Sequence, residues 1–140
     1  MHWLLNKEVV INIERIKSDL RMRDLYFPEC FVKRNAQIAN GELNIDVSRH
    51  VAKKTDNEYD VTVTVRIDKE TKDLEVYVAA CATFYIDHPN PIEVETLIKT
   101  NTVAITFPFI RSQVSLITTQ PGMVPVVLPP INTARLNISE

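Results

Sequence analysis

The segment Tyr59–Ile67, YDVTVTVRI, puts Tyr59, Val61, Val63, Val65 and Ile67 on one side and Asp60, Thr62, Thr64 and Arg66 on the other. Period two with β-branched enrichment predicts a strand with one buried and one solvated face. A polar turn, DKETKD, leads to LEVYVAACATFYI. One row of that segment is Leu74, Val76, Val78, Ala80, Ala82, Phe84 and Ile86; the other is Glu75, Tyr77, Ala79, Cys81, Thr83 and Tyr85. The two strands form an antiparallel hairpin. After Glu75 the second row is aromatic or small, the composition of a strand covered on both faces, by helices of its own chain or by another subunit. One domain of this size has few elements left for both tasks, which predicts oligomerisation.

Upstream, ELNIDV alternates through Leu43, Ile45 and Val47 and predicts a third strand. Val9, Ile11 and Ile13 alternate too, although Val9, Ile13, Ile16 and Leu20 also fit a helical stripe; of the two, a long bulged strand running to about Phe27, stopped by Pro28, is preferred. After the hairpin, HPNPIEVETLIKTN opens a helix with Asn90 as N-cap, Pro91 at N1 and Glu93 at N3. Val94, Leu97 and Ile98 form its stripe. A longer helix follows Asn101, with Val103, Phe107, Ile110, Val114 and Ile117 in register and Ile105, Phe109 and Leu116 as a second shoulder. Pro108 falls inside it, at a cost of about 3 kcal/mol unless relieved. The stripe stays in phase across Pro108, so a kink is expected rather than a restart. Pro121 and Gly122 end the helix, MVPVVLPP is extended, and INTARL predicts a last short helix capped by Asn132. Strands first and helices last define one α+β domain over residues 1–140, with the helices on one face.

Composition narrows the function. The 140 residues are 45% hydrophobic and 24% charged, as in an ordinary globular domain. A formal charge of −2 does not supply the basic face of a nucleic-acid binder. No apolar run approaches the roughly 20 residues that span a bilayer, and MHWLLNKEVVINIERIK lacks the features of a signal peptide. Cys30 and Cys81 have no metal spacing and read as reduced thiols of a cytoplasmic protein. With two glycines, Gly41 and Gly122, there is no phosphate-cradling loop and no dinucleotide fingerprint. His2, His50 and His88 have no metal spacing, and Asp87–His88 sits in the turn before a helix cap. No nucleophile elbow is visible. The expectation is no cofactor, no metal and no enzymatic activity.

The order of the pieces, YDVTVTVRI with its following strand, FPFIR (Phe107–Arg111) and LPPINTARL (Leu128–Leu136) together resemble the SecB family of bacterial protein-export chaperones, from about Ile11 to Leu136. The last segment follows the family pattern Leu-x-Pro-x-Asn-x-x-x-Leu. The resemblance implies a four-stranded antiparallel sheet with helices packed on one face, assembling as a homotetramer, a dimer of dimers. It also implies a function: holding unfolded client polypeptides in hydrophobic grooves without ATP. On that basis Val76, Val78 and Ala80 fall on the family's oligomer interface. Leu43, Ile45, Phe84, Phe107, Phe109, Val126 and Leu128 are the candidate groove residues, positions where a core role also calls for apolar side chains. The apolar loop with four prolines becomes a groove wall that touches client side chains.

Two departures bear on partners. The family's export members carry a polar tail that contacts the zinc-binding end of the SecA motor, whereas this chain ends at Glu140; and Tyr77 stands at a position usually acidic, with Glu75 nearby. Some SecB-like proteins instead protect the antitoxin of a toxin–antitoxin pair. The rival class is a small-ligand-binding or enzymatic α+β domain, which requires a closed pocket with convergent polar groups. A chaperone requires open apolar grooves.

Overall fold

The computed structural model describes residues 20–35, 38–87, 90–130 and 138–140. The alternating segments form strands: β1 (Leu20–Arg34), β2 (Leu43–Lys53), β3 (Glu58–Lys69) and β4 (Leu74–Ile86). Among the described residues one helix, α1 (Pro91–Thr118), follows, and a two-residue strand β5 (Ile138–Ser139) closes the order. The sheet order is β1-β4-β3-β2-β5, with the four long strands antiparallel and β5 parallel to β2. The fold is therefore α+β, as expected, with a short fifth strand added at the edge.

Alternation along β3 and β4 makes the core. Val61, Val63, Val65 and Ile67 pair across from Ala82, Ala80, Val78 and Val76, and all eight are buried. Against them α1 lays Val94, Ile98, Val103, Phe107, Ile110 and Val114 in the same cluster. Each large apolar side chain enclosed here is worth about 1.5–3 kcal/mol relative to an exposed one.

Pro28 does not stop the first strand. β1 runs on to Arg34, because it carries two extra residues against β4, one between Arg23 and Tyr26 and one between Tyr26 and Glu29. Asp24 takes a positive φ of 54° in the first irregularity, and Pro28 lies in the second. On a bulged edge strand its missing N–H breaks no ladder bond. The expectation for residues 9–19 and the helix expected from Asn132 lie outside the described residues.

The helix starts as expected. Asn90 is its N-cap, accepting from the Ile92 N–H at 3.1 Å, with Pro91 in the first turn. It does not end at Asn101: the two predicted helices are one, of 28 residues. Thr102, buried between the two apolar stripes, carries the inward face across the gap, and Thr106 is buried within the second stripe, their hydroxyls donating to the Ile98 and Thr102 carbonyls. Threonine fills such a site once its hydroxyl has a local acceptor. The helix continues through Pro108, where the proline and Ala104, whose carbonyl loses its intrahelical donor, are both exposed and open to water.

Val76, Val78 and Ala80, expected at the contact between subunits, are 0% exposed within the single chain. The pleat of β4 aims them at α1, so they offer no surface to another copy. Val78→Arg is thus expected to unfold the chain rather than split an oligomer, since an unpaired charge in a closed core costs several kcal/mol. Denaturant titration checks this: loss of the cooperative transition is expected, whereas Tyr77→Arg, on the other face, keeps it.

Candidate functional site

Beyond α1 the chain turns back along its own helix. Gln120–Met123 make a tight turn, with the Met123 N–H donating to the Gln120 carbonyl at 3.1 Å and Gly122 at φ 71°. Pro at the second position and a positive-φ Gly at the third suit a type II turn. The returning segment is then tied to the helix. Thr118 Oγ1 accepts from the Val126 N–H at 2.8 Å and donates to the Val114 carbonyl at 2.7 Å. Ser115 Oγ donates to the Val126 carbonyl at 3.1 Å, and Arg111 Nε to the Leu128 carbonyl at 2.9 Å. A segment too proline-rich for regular structure gains its partners from helix side chains.

These bonds set the facing of the loop. Val126 and Leu128 turn into the core, while Val124 and Val127 stand 87% and 73% exposed. Two clefts open on either side. The first, about 400 Å³, lies between the loop and the sheet end and is lined by Ile38, Leu43, Lys69, Leu74, Met123, Val124, Val126 and Val127, among others. The second, about 580 Å³, lies between the loop and the helix, lined by Pro108, Arg111, Ser112, Ser115, Leu116, Thr119, Val127 and Leu128. Val127 lines both, so the clefts adjoin beneath it. Leu116 is 67% exposed on the same side of the loop as the second cleft.

The far wall of the first cleft is held by Asp73. Its carboxylate accepts from the Ala39 N–H and from Thr71 Oγ1, the latter at 2.7 Å, while its backbone carbonyl takes the Asn35 N–H at 3.0 Å. The Thr71 hydroxyl holds the Asp73 carboxyl below its ordinary pKa, with the Ala39 N–H and Lys69 adding to the effect against the cost of burial.

Of the seven groove residues expected from sequence, Leu43, Val126 and Leu128 reach the clefts. Phe84 and Phe107 are core and Ile45 packs on its rim. Phe109 is exposed on the helix but lines neither cleft. Sequence reasoning makes the whole loop a groove wall but singles out Val126 and Leu128 rather than Val124 and Val127, and it does not reach Leu116. The available signal was the period-two facing of an extended segment, but which parity faces out depends on the Thr118 and Ser115 bonds.

The other face of the sheet is aromatic. Phe31 and Tyr77 stack with centroids 5.1 Å apart, Arg66 lies over Tyr77 and Arg23 over Tyr85. At the β2 edge, Arg49 joins the Lys99 carbonyl of α1 to the Glu140 carboxylate and so fastens β5. No described helix is long and apolar enough to cross a membrane.

The helix and its returning loop thus border two open clefts of mixed lining, with exposed valine side chains at their rim. Residues 7–139 match the family described as preprotein translocase subunit SecB. Protein-export protein SecB of Methylobacillus flagellatus is 26% identical over 134 residues, covering 93% of this chain and 83% of the relative. That of Neisseria gonorrhoeae is 30% identical over 128 residues, covering 88% and 84%. In fold, the chain is similar to a SecB-like chaperone of Mycobacterium tuberculosis solved with an antitoxin peptide, at TM-score 0.68 and 15% identity, covering 84% of this chain and 91% of that one. The chain belongs to the SecB family.

Two expectations follow from the site. Thr118→Val keeps the shape but leaves the buried Val126 N–H without an acceptor, a loss of about 1–3 kcal/mol; faster hydrogen exchange at Val126 than at Val114 would locate it in the loop. For Asp73 the folded pKa is lowered, so its contribution is complete above the ordinary Asp pKa of about 4 and lost as pH falls through the folded value. The stability gap between wild type and Asp73→Asn is expected at neutral pH and should close on acidification in a denaturant series.

Proposed function

We propose that this protein is an ATP-independent holdase that binds non-native polypeptides in the clefts beside its proline-rich loop and keeps precursor proteins competent for export. The observation that carries the reading is the pair of clefts meeting at Val127 in a member of the SecB family. Little chemistry is required. Each large client side chain buried adds about 1.5–3 kcal/mol, and several such contacts along one chain reinforce one another through effective concentration. Folded proteins have no long apolar segment to offer, so binding selects unfolded chains.

The same reading includes a cytoplasmic homotetramer with no enzymatic activity. Since Val76, Val78 and Ala80 are enclosed, the surfaces left for contact between copies are the outer edge of β1, unpaired among the described residues, and the aromatic face around Tyr77. Several client-bearing copies side by side lengthen the path available to one unfolded chain. The motor SecA is the receiving partner in this reading. A client restricted to an antitoxin is the second reading, favoured by the antitoxin peptide bound to the mycobacterial chaperone of the same fold.

The test is light scattering of a model client diluted from denaturant without nucleotide, with native mass recorded alongside. Wild type is expected to suppress aggregation as a tetramer. Val124→Asp with Val127→Asp, both on exposed side chains, should lose suppression while keeping the unfolding transition. A folded wild-type oligomer that suppresses nothing would reject general holdase action and leave the dedicated client.

A further inference from the structure

The β2 edge of the sheet is covered over only part of its length. β5 pairs with it at two positions, Val47 with Ile138 and Ser48 with Ser139, whereas β2 has 11 residues. At about 3.3 Å per residue, β5 covers about 7 Å of an edge about 36 Å long. On either side of it, Leu43–Asp46 and Arg49–Lys53 pair with β3 but have no strand on their outer side among the described residues. Open edge groups of this kind are a template for another extended chain. Leu43, Ile45, Val47 and Val51 share the core-side face of β2 by alternation, and Leu43 also lines the first cleft. The open edge is thus continuous with that cleft.

β5 sits on this edge as an incoming strand would. Ile138 is half-buried against the core, and Ser139 is exposed, bordering a shallow polar hollow on the other face with Ser48, Thr64 and Arg66. Its hold is small: two residues of parallel pairing, one half-buried isoleucine and the Glu140–Arg49 ion pair, whose carboxylate side chain is 59% exposed. Parallel pairing is slightly weaker per residue than antiparallel, and an ion pair this exposed contributes little. Arg49 does not depend on that pair for its place, since it also donates to the Lys99 carbonyl of α1. Its Nε is buried with no acceptor among the described residues. When Glu140 leaves, Arg49 stays with the helix, and its Nη2 is released for a carbonyl of the strand that takes the edge.

We propose that β5 is a displaceable strap: it holds the β2 edge in the free protein and gives way to an extended segment of a non-native polypeptide, which pairs with β2 and runs on into the first cleft. This rests on the holdase reading and adds to it backbone pairing as a second mode of contact, with a competitor supplied by the chain itself. Backbone pairing reads little of a client's sequence, which suits a protein that takes many. The strap lowers the apparent affinity by the fraction of molecules in which it is open.

The experiment titrates a fluorescently labelled, reduced and carboxymethylated model protein against the full chain by anisotropy. An open form carries Ser139→Pro with Glu140→Gln. A lockable form carries Ser48→Cys with Ser139→Cys in a Cys30→Ala, Cys81→Ala background, so that oxidant ties β5 to β2 and reductant frees it. The open form is expected to bind about two- to fivefold tighter than wild type, and the oxidised form weaker than the same chain reduced. In wild type, client should speed hydrogen exchange at Ser139 and slow it at the β2 amides that face away from β3. The oxidised and reduced states of one chain make a comparison that does not depend on how well the open form folds. Equal affinities for oxidised and reduced chains, with Ser139 exchange unchanged by client, overturn the strap and leave the holdase reading standing. If the client binds none of the forms, both fall.

Discussion

The constraint on which the rest depends is the closure of α1 over the β3–β4 hairpin. Val63, Val65, Ile67, Val76, Val78 and Phe84 are fully enclosed beneath Val103, Phe107, Ile110 and Val114. Cores of this kind are close-packed, so a side chain placed there has no second role. That one contact decides which row of β4 is spent on stability and which is left for other molecules. It also fixes the helix line along which the loop must return.

The loop is where binding surface is made at low cost in regular structure. Proline limits the conformations it can take, and Thr118, Ser115 and Arg111 satisfy its backbone where it passes the helix. With Val126 and Leu128 anchored inward, Val124 and Val127 are held outward rather than collapsing on the core. Exposed apolar side chains of this kind mark interaction surfaces when they are contiguous with a groove, and Val127 belongs to two. The same helix that supplies the core thus supplies the anchors of the binding loop, which ties the clefts to the packed core.

Charge is distributed with a similar division of labour. Arg49 meets a carboxylate and fastens an edge strand, whereas Arg34, Lys69 and Arg111 donate to backbone carbonyls beside the clefts. On the far side of the sheet, Arg66 and Arg23 lie over Tyr77 and Tyr85. That aromatic face is chemically unlike the clefts, so the two sides of the layer are suited to different partners.

Much of this was legible from the residues alone. Period-two alternation in YDVTVTVRI and LEVYVAACATFYI specifies a hairpin because a strand's side chains must alternate, and Asn90-Pro91 specifies a helix start because capping is local chemistry. The family, too, followed from the order of its motifs. Long-range terms decided what remained. Pro28 lies inside β1 because a bulge on an edge strand absorbs it, and Asn101 lies inside α1 because buried Thr102 carries the inward face past it. Parity decided the site: Val126 and Leu128 face inward and Val127 outward because of bonds to Thr118, Ser115 and Arg111, residues 8 to 17 positions distant. Local propensity is blind to that choice, since either face of an extended apolar segment satisfies it, and only the packed helix selects between them.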